Sequence, residues 1–405
     1  MSAQRDPAAD WAESGVVALT GRADGPPRVP PGRAASVARD LADHIARRTG
    51  GRVRVDGAAL LAERAAFTGH RRAGAVSVGG SCRLLPTSDG WAAVSCARPD
   101  DPLLLGALIG EEIAPDPWPA VAGWLRAHPG EELAARAELL GVAAAPVGPP
   151  VPAPEPPELP ARSVEGLLVL DFSALWAGPL CASLLGLAGA RVVKVETPSR
   201  PDGARRGEPD FYRLLHAGHR SVVLDPGTAS GRASLHRLVD AADIVLEASR
   251  PRALAGWGLD AATAVAGGAT WISITAAGRH SPRIGFGDDV AAAAGLVARD
   301  VDGTPLFCGD ALADPLTGLT AAALALTAPA DGSGVLWDVA MADVVARTLD
   351  GTPSRPARSV GDGWVVDTSG GPVQVALPRR RTVASTVANA GDDTAAALRE
   401  LGLPC

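Results

Sequence analysis

The chain has 405 residues, a formal net charge of −7 and 47% hydrophobic residues. This composition is typical of a globular protein of two or three domains, and the acidic balance argues against a nucleic-acid-binding scaffold. The five cysteines form no CxxC pair, and charges, Gly or Pro interrupt each apolar stretch before it could span a membrane. We therefore expect a cytoplasmic protein without a zinc site, a disulfide framework or a membrane partner.

The N-terminal part of the chain resembles a later part of the same chain. Three short segments recur in the same order: 14–29 with 294–307, 50–65 with 332–347, and 88–95 with 361–368. We interpret residues 1–74 as a degenerate copy of a segment of the C-terminal part. Counted from the Asp-Gly-x-Pro motif that both copies share, Ser36 occupies the place of Asp314. Chemistry that depends on this acid therefore belongs to the second copy.

Prolines are dense between Ala143 and Ser163, in the stretch AAAPVGPPVPAPEPPELPARS. We do not expect such a stretch to pair in a sheet or to continue a helix, because proline lacks a backbone N–H and fixes φ. The pattern predicts a stiff, extended linker at residues 149–162. This linker separates the N-terminal part from the longer C-terminal part.

Strands and helices alternate in the pattern after the linker. An apolar run at 167–171 is followed by a loop, a helix at about 179–187 and a β-branched run at 192–195, which is typical of a right-handed parallel βαβ unit. Further strand patterns lie at 221–225, 243–248 and 270–276, and a helical stretch lies at 231–242. The predicted fold class is α/β, with a mostly parallel open sheet and helices on both faces. No GxGxxG motif follows the first strand, which disfavours dinucleotide binding.

Five motifs stand out in the C-terminal part of the chain. They are LDFSALWAGPLCASLLGLAGARVVKVE (170–196), HAGHRSVVLD (216–225), ADIVLEASRP (242–251), DGTPLFCGDALADPLTG (302–318) and GDDTAAALRELGL (391–403). In sequence, order and spacing they resemble the class III CoA-transferases, the family of formyl-CoA transferase, carnitine CoA-transferase and α-methylacyl-CoA racemase. The first motif is the most specific, and the resemblance covers most of residues 163–405.

The resemblance implies a domain organisation. A Rossmann-like large domain would occupy residues 163–350, a tail at 351–405 would complete it, and residues 75–148 resemble the small α+β domain of the family. In ordinary members the small domain follows the Rossmann-like half, whereas here it precedes the linker. This order indicates a permuted or partly duplicated arrangement. Since typical members form interlocked dimers, the resemblance also implies a homodimer.

Asp314 falls on the catalytic aspartate of the family, in a D-x-x-x-G context that ends at Gly318. The resemblance implies that its carboxylate attacks an acyl-CoA thioester and forms aspartyl intermediates, so that CoA passes between two carboxylic acids. We expect the positive end of the helix that begins here to keep this acid ionised. Two alternatives remain: Asp314 could be a helix cap alone, and Asp310 could be the nucleophile.

The loop after the first strand of the large domain lies where open α/β sheets bind ligands. The resemblance implies that it contacts CoA and the acyl group through Ala174, Leu175, Trp176, Ala177 and Gly178. The phosphates of CoA should meet cations, and the candidates are Arg205, Arg220, Arg250 and Arg252. Trp176 could instead pack in the core, and each arginine could be a solvated surface residue. Coenzyme A, as a substrate and product thioester, is the cofactor implied, without a metal.

Two other functions of the same scaffold stay open. The racemase branch of the family uses a His and an Asp as paired acid and base, but this chain has Gly285–Gly287 at the expected His position, and His280 falls at a variable turn. The first copy lacks the acid and the small domain is displaced. These two features keep a non-catalytic acyl-CoA-binding relative as the third hypothesis.

Overall fold

The computed structural model describes residues 6–148, 154–248, 251–383 and 385–400, with the backbone alone for Pro251 and Arg252. The N-terminal region, residues 6–74, has the following elements: α1 (Pro7–Ser14), β1 (Arg28–Val29), α2 (Ala34–Arg48), α3 (Gly57–Leu60) and α4 (Glu63–Thr68). Helix α1 begins where the Asp6 side chain accepts a hydrogen bond from the backbone N–H of Ala8, with proline in its first turn. Helix α2 buries one alanine-rich face that includes Ile45.

The small unit, residues 75–148, has a core of its own. Its elements are β2 (Cys82–Pro86), β3 (Trp91–Ser95), α5 (Asp101–Ile109), α6 (Trp118–Ala127), α7 (Gly130–Leu140) and β4 (Ala144–Pro146). The strands form an antiparallel sheet in the order β2-β3-β4. One leucine from each helix, Leu105, Leu125 and Leu133, is buried in a cluster with the inward face of β3.

Strand β4 lies in the proline-rich stretch for which no sheet pairing was expected. Ala144–Pro146 pairs with β3, so that expectation is wrong for these three residues. The strand lies at the edge of the sheet and proline is its last residue, a position where the missing N–H is tolerated. In the described part of the predicted linker, residues 154–162, one isolated bridge joins Ala161 to Thr327.

The large domain alternates strands and helices. Its elements in chain order are β5 (Leu168–Asp171), α8 (Ala177–Leu187), β6 (Arg191–Glu196), α9 (Pro209–His216), β7 (Arg220–Val223), α10 (Ala229–Asp240), β8 (Ile244–Glu247), α11 (Pro251–Ala255), α12 (Ala261–Ala266), β9 (Thr270–Thr275), α13 (Gly287–Ala293), β10 (Val297–Arg299), β11 (Pro305–Phe307), α14 (Ala313–Ala325), β12 (Val335–Ala340) and α15 (Met341–Ala346). Six strands form one parallel sheet in the order β12-β9-β8-β5-β6-β7. This sheet confirms the predicted α/β fold class.

The strand order creates a switch point beside β5. The chain runs from β5 through β6 to β7 at one edge, returns to β8 on the other side of β5, and continues to β9 and β12. The loops after β5 and β8 therefore diverge and leave a crevice, where open α/β sheets bind ligands. Helix α14 packs on α8 beside this crevice. Gly318 permits the contact, because a Cβ there would lie 2.7 Å from the carbonyl oxygen of Ala177.

The N-terminal region and the large domain share one hydrophobic core. Helix α2 packs against α14, and Trp11 and Ile45 are buried in the same cluster as Leu316. An ion pair between Arg64 of α4 and Asp310, just before α14, also joins the two regions. The segment interpreted as a degenerate copy therefore folds against its own chain.

The C-terminal tail divides between two neighbours. Its elements are β13 (Arg355–Pro356), β14 (Arg358–Val360), β15 (Gly363–Thr368), β16 (Gly371–Gln374) and α16 (Thr394–Glu400). Strand β13 pairs with β1, and the sheet β14-β15-β16 packs against α1, so this half of the tail lies on the N-terminal region. Helix α16 lies beside β7, where Asp393 accepts a hydrogen bond from the backbone N–H of Ser221. This second half adds to the large domain.

Candidate active site

A cavity of about 610 Å³ opens at the carboxyl ends of β5, β8 and β9, beside the switch point. Its walls come from the loop after β5, the loop between β9 and α13, and the first residues of α14 and α15. Leu175, Ile274 and Met341 contribute apolar lining, whereas Asp314 and Arg283 bring charges to the wall. The cavity can therefore hold a molecule that is partly aliphatic and partly charged.

Two backbone segments that shape the cavity have conformations unusual for their residue types. Leu175 and Ala311 have φ angles of 69° and 49°, and apart from glycines they alone have positive φ in the part of the chain that the structure describes. The backbone N–H of Leu175 donates to Asp202 over 3.0 Å, and that of Ala311 donates to Asp288 over 2.8 Å. Such conformations cost on the order of 1–2 kcal/mol each and persist where the surrounding contacts fix them. Strained backbone is thus found on both sides of the cavity, in one case three residues before Asp314.

Buried polar groups fix the loop after β5. The ammonium of Lys194 lies 2.9 Å from Asp202 Oδ2 and donates a hydrogen bond to the carbonyl oxygen of Ser173. In the first turn of α8, Gly178 approaches Ser173 so closely that a Cβ would lie 2.1 Å from its hydroxyl oxygen. Helix α8 therefore begins, at Ala177, on the cavity wall, where the positive end of the helix dipole can act on a bound anion.

Asp314 is the second residue of α14, and its partly buried side chain lines the cavity. The N-cap of α14 is Leu312, which makes no side-chain capping hydrogen bond. None of the described residues donates a hydrogen bond to the Asp314 carboxylate. Gly287 leaves space for this carboxylate, because a Cβ there would lie 2.2 Å from Asp314 Oδ2. The geometry does not match a pure helix cap, and the carboxylate oxygens stay available to a ligand.

Burial raises the pKa of Asp314 to about 7. The Arg64 guanidinium opposes this rise, and the carboxylates of Asp288 and Asp310 add to it. This pKa does not support the expectation that the helix N-terminus keeps the acid fully ionised at neutral pH. The lost hydration of the carboxylate is the main cause of the raised pKa, so both the protonated and the ionised form of Asp314 are accessible near neutral pH.

Asp310, the alternative nucleophile, is fully buried and already paired. Both of its oxygens accept hydrogen bonds from the Arg64 guanidinium, one of them over 2.9 Å. The same guanidinium lies 5.1 Å from the centroid of the Trp176 ring. Asp310 thus holds Arg64 beside Asp314 and is not free to attack a substrate. No sequence pattern indicated Arg64, because α4 is distant in the chain and reaches the site only through the packing of the N-terminal region.

Part of the predicted CoA loop reaches the cavity. Ala174, Leu175 and Ala177 line it. The side chain of Trp176 is 1% exposed and packs edge-on against Phe211, with 5.4 Å between ring centroids. It therefore lies in the core, as the alternative interpretation held, and Gly178 supports the loop without lining the cavity.

The predicted phosphate-binding arginines do not line the cavity where their side chains are described. Arg205 donates to Glu196 within the large domain, and the partly exposed Arg220 pairs with a carboxylate of α16. Arg250 lies outside the described residues, as does the side chain of Arg252. A role for these arginines in CoA binding stays a prediction.

Other basic side chains reach the cavity, and sequence reasoning missed the two arginines among them. Arg279, His280 and Arg283 come from the loop between β9 and α13. Arg279 donates to Glu247 and to the Ser273 hydroxyl, each over 2.7 Å. Arg283 buries its Nε and Nη2 atoms without a hydrogen-bond acceptor among the described residues. The position of this loop after a predicted strand was the available signal, since open α/β sheets bind ligands at the carboxyl ends of their strands.

The small unit also contacts the site. Ser95, the last residue of β3, donates a hydrogen bond to Asp289 over 2.9 Å, and the backbone N–H of Phe286 donates to the same carboxylate over 2.8 Å. Burial raises the pKa of Asp289 to about 6 and that of the adjacent Asp288 to about 7. The N-terminal region, the small unit and the large domain therefore all contribute side chains around the cavity.

The structure shows no metal-ligand cluster in the part of the chain that it describes. No group of three or more His, Cys, Asp or Glu side chains is placed to hold a metal ion in residues 6–148, 154–248, 251–383 and 385–400. Each helix formed by these residues is too short or too polar to cross a membrane.

A family model described as CoA-transferase family III matches residues 164–367. Succinyl-CoA–D-citramalate CoA-transferase of Chloroflexus aurantiacus is 31% identical over 209 residues, which are 47% of this chain and 52% of the relative. Succinate–glutarate CoA-transferase of Agrobacterium fabrum is 30% identical over 210 residues, 46% and 52% of the two chains. The chain spans about half the length of these curated relatives.

Solved structures match over a similar share of the chain. Rv3272 from Mycobacterium tuberculosis is 32% identical, with a TM-score of 0.42, over 46% of this chain and 56% of that chain. A CaiB/BaiF family protein from Brucella suis is 26% identical, with a TM-score of 0.45, over 53% of this chain and 65% of that chain.

Proposed function

The chain belongs to CoA-transferase family III, and we propose that it transfers coenzyme A from an acyl-CoA to a carboxylic acid through covalent intermediates on Asp314. The observation that carries this proposal is the Asp314 carboxylate itself. It lies on the wall of the cavity at the switch point, and no described residue donates a hydrogen bond to it. The named activities of the matching relatives support transfer between carboxylic acids.

In the first half of the reaction, an Asp314 oxygen attacks the thioester carbonyl of the acyl-CoA. The carbon–sulfur bond breaks, the electron pair leaves with the CoA thiolate, and a mixed anhydride joins Asp314 to the acyl group. The thiolate then attacks the aspartyl carbonyl of the anhydride. The acyl group leaves as a free carboxylate, and CoA remains on Asp314 as a thioester.

The second half reverses these steps with another acid. The acceptor carboxylate attacks the aspartyl thioester and releases the CoA thiolate, which then attacks the acceptor carbonyl of the new anhydride. The products are a new acyl-CoA and the free Asp314 carboxylate. The amide-rich start of α8 at Ala177 is placed to stabilise oxyanions that form in the cavity, and the raised pKa of Asp314 makes its ionised form a stronger nucleophile.

Intact-protein mass spectrometry after incubation with an acyl-CoA tests this proposal. We expect a species heavier by one CoA, which hydroxylamine converts to a hydroxamate on Asp314. The isosteric variant Asp314→Asn, shown to be folded by circular dichroism, should form neither species. A CoA adduct that persists in Asp314→Asn would place the chemistry elsewhere.

A second function, epimerisation at the α-carbon of an acyl-CoA, is favoured by one observation. His280 lines the same cavity as Asp314, and a carboxylate with a pKa of about 7 suits a general base. This function predicts that a 2-methylacyl-CoA takes up deuterium from D₂O without CoA transfer, and that His280→Ala stops the uptake. Tight CoA binding with neither reaction would leave the non-catalytic hypothesis.

A further inference from the structure

Arg283 differs from the other arginines around Asp314 in having no anionic partner. Arg64 and Arg279 each pair with a buried carboxylate. The Nε and Nη2 atoms of Arg283 are inaccessible to solvent and have no hydrogen-bond acceptor, and its guanidinium forms no ion pair with any residue that the structure describes. Yet Arg283 is one of the residues that line the same cavity as Asp314.

Enclosing two guanidinium nitrogens of the partly buried Arg283 without acceptors is costly for a folded protein. Burial lowers the pKa of Arg283, and Asp289 and Glu138 only partly offset this effect from a distance. Arginine nonetheless stays protonated at any physiological pH. The charge is therefore fixed at the cavity wall without an ion-pair partner among the described residues, and an anionic group bound in the cavity would supply one.

The lining of the cavity indicates what kind of anion this is. Leu175, Ile274 and Met341 provide aliphatic walls in the same cavity. The proposed function, on which this inference rests, places one carboxyl carbon of the substrate at Asp314, so an anion at Arg283 belongs to another part of the bound molecule. A guanidinium can donate charge-assisted hydrogen bonds to a carboxylate, and the nitrogen outside the enclosed Nε and Nη2 pair, Nη1, is the donor left for a molecule in the cavity.

We infer that Arg283 binds the second carboxylate of a dicarboxylic acyl group. The protein then prefers dicarboxylates with an aliphatic spacer over monocarboxylates of the same chain length. The alternative source of a negative charge at Arg283 is a phosphate of CoA, which all acyl-CoA substrates share. If Arg283 binds the acyl carboxylate, it discriminates between acyl groups. If it binds a CoA phosphate, it contributes equally to all acyl-CoA molecules.

Calorimetric binding of succinyl-CoA and butyryl-CoA, which share a chain length, tests the inference. Asp314→Asn serves as the background, because we expect it to bind acyl-CoA without turnover. We expect this variant to bind succinyl-CoA more tightly, and Arg283→Gln added to it to lower the succinyl-to-butyryl affinity ratio roughly 100-fold. Arg283→Lys, which retains the charge, should keep part of the ratio. Arg232→Gln, on the exposed face of α10, is the matched control and should keep all of it.

Two results would overturn the inference. Equal losses for succinyl-CoA, butyryl-CoA and free CoA would assign Arg283 to a CoA phosphate. An unchanged ratio in Arg283→Gln would leave Arg283 as a structural neighbour of Asp289. The binding assay needs no covalent step. If CoA could not be trapped on Asp314 in the wild type, the proposed mechanism would fail, but the affinity ratios would still show whether Arg283 binds the second carboxylate.

Discussion

The proposed nucleophile of this site, Asp314, has to lose a proton before it can attack. Burial raises the pKa of Asp314 to about 7, so the ionised fraction grows through the neutral range. We predict that kcat/KM for CoA transfer rises about tenfold per pH unit below pH 7 and reaches a plateau above it. Initial rates measured from about pH 5 to about pH 9 check this, and a rate that stays constant across the acid range would contradict it.

The charged groups near Asp314 determine the pH at which kcat/KM rises, which is the acid limb of the pH profile. Arg64 approaches from α4 and lowers the pKa of Asp314, whereas Asp288 and Asp310 raise it. We predict that Arg64→Gln moves the limb to higher pH by about one unit, because the opposing cation is lost. Arg64→Lys should hold it near the wild-type position. A shift of the Gln variant to lower pH would show that Arg64 acts on another group.

The same raised pKa has a consequence for stability. The pKa of Asp314 lies near 7 in the folded protein and near 3.8 in an ordinary environment, so folding favours the protonated form. The stabilisation is complete below pH 3.8 and is lost as the pH rises through 7. We predict that Asp314→Asn is more stable than wild type at about pH 8, by on the order of 2 kcal/mol.

Urea unfolding at two pH values checks this prediction. The difference between Asp314→Asn and wild type should shrink toward acid pH, where wild type is protonated as well. Asp310→Asn is the contrasting variant: it weakens the pairing with the partly buried Arg64 and should lower stability. A lower stability of Asp314→Asn at about pH 8 would contradict the prediction.

At this scale the sequence identified a residue but not its surroundings. Asp314 came from a motif, and the loop residues Ala174, Leu175 and Ala177 came from the same resemblance. Arg64 and Arg283 could not be found in this way, because their importance depends on what packs beside them. An arginine without a partner looks the same in a sequence as one on the surface, above all in a chain with many arginines.

Among the elements, the contact of α14 with α8 determines where the start of each helix lies. Gly318→Ala would place a Cβ 2.7 Å from the carbonyl oxygen of Ala177. We predict a loss of stability of about 1–3 kcal/mol from this overpacking, together with reduced activity, because both helix starts line the cavity. The clash should outweigh the gain of about 1 kcal/mol in helix propensity.

Gly123→Ala in α6 is the matched control for this change. A Cβ at Gly123 would meet no atom within 4 Å, so the gain in helix propensity should appear alone and raise stability by up to about 1 kcal/mol. Thermal unfolding of the two variants compares these effects. A stabilised and fully active Gly318→Ala would contradict the proposed role of this contact.

Five of the six strands in the parallel sheet of the large domain could be predicted, because buried parallel strands are continuous apolar runs. The predicted strand at 192–195 is observed as Arg191–Glu196, and the predicted helix at about 179–187 begins two residues earlier, at Ala177. Strand β4 was not predicted, because local proline density hides an edge pairing that depends on a partner distant in sequence. Tertiary contacts, more than local preference, decide such edges.

For the whole molecule, the shared core makes the N-terminal region part of the active enzyme proposed here. Ile45 and Leu316 are buried in one cluster, whereas Leu133 belongs to the separate core of the small unit. We predict that Ile45→Ala costs about 2–5 kcal/mol and speeds hydrogen exchange in α14 as well as in α2. Leu133→Ala should speed exchange in α5–α7 and leave α14 protected. Exchange confined to α2 in Ile45→Ala would show that the regions unfold separately.

The organisation of the whole chain was only partly readable from the sequence. The repeat pattern predicted a degenerate copy at 1–74, and the structure places Arg64 of that region beside the catalytic candidate. Pattern matching could not show that this region lies on its own large domain, because contacts between distant segments leave no local signature. The division into copies and the homodimer stay predictions.

The central claim is that Asp314 exchanges oxygen with the substrates during CoA transfer. When an acceptor carboxylate labelled with oxygen-18 attacks the aspartyl thioester, its bridging oxygen remains on the aspartate after the thiolate takes the acyl group. Mass spectrometry of the peptide that contains Asp314, after turnover with a labelled acceptor, should therefore find oxygen-18 in that carboxylate and in no other. Efficient turnover with an unlabelled Asp314 would contradict the account.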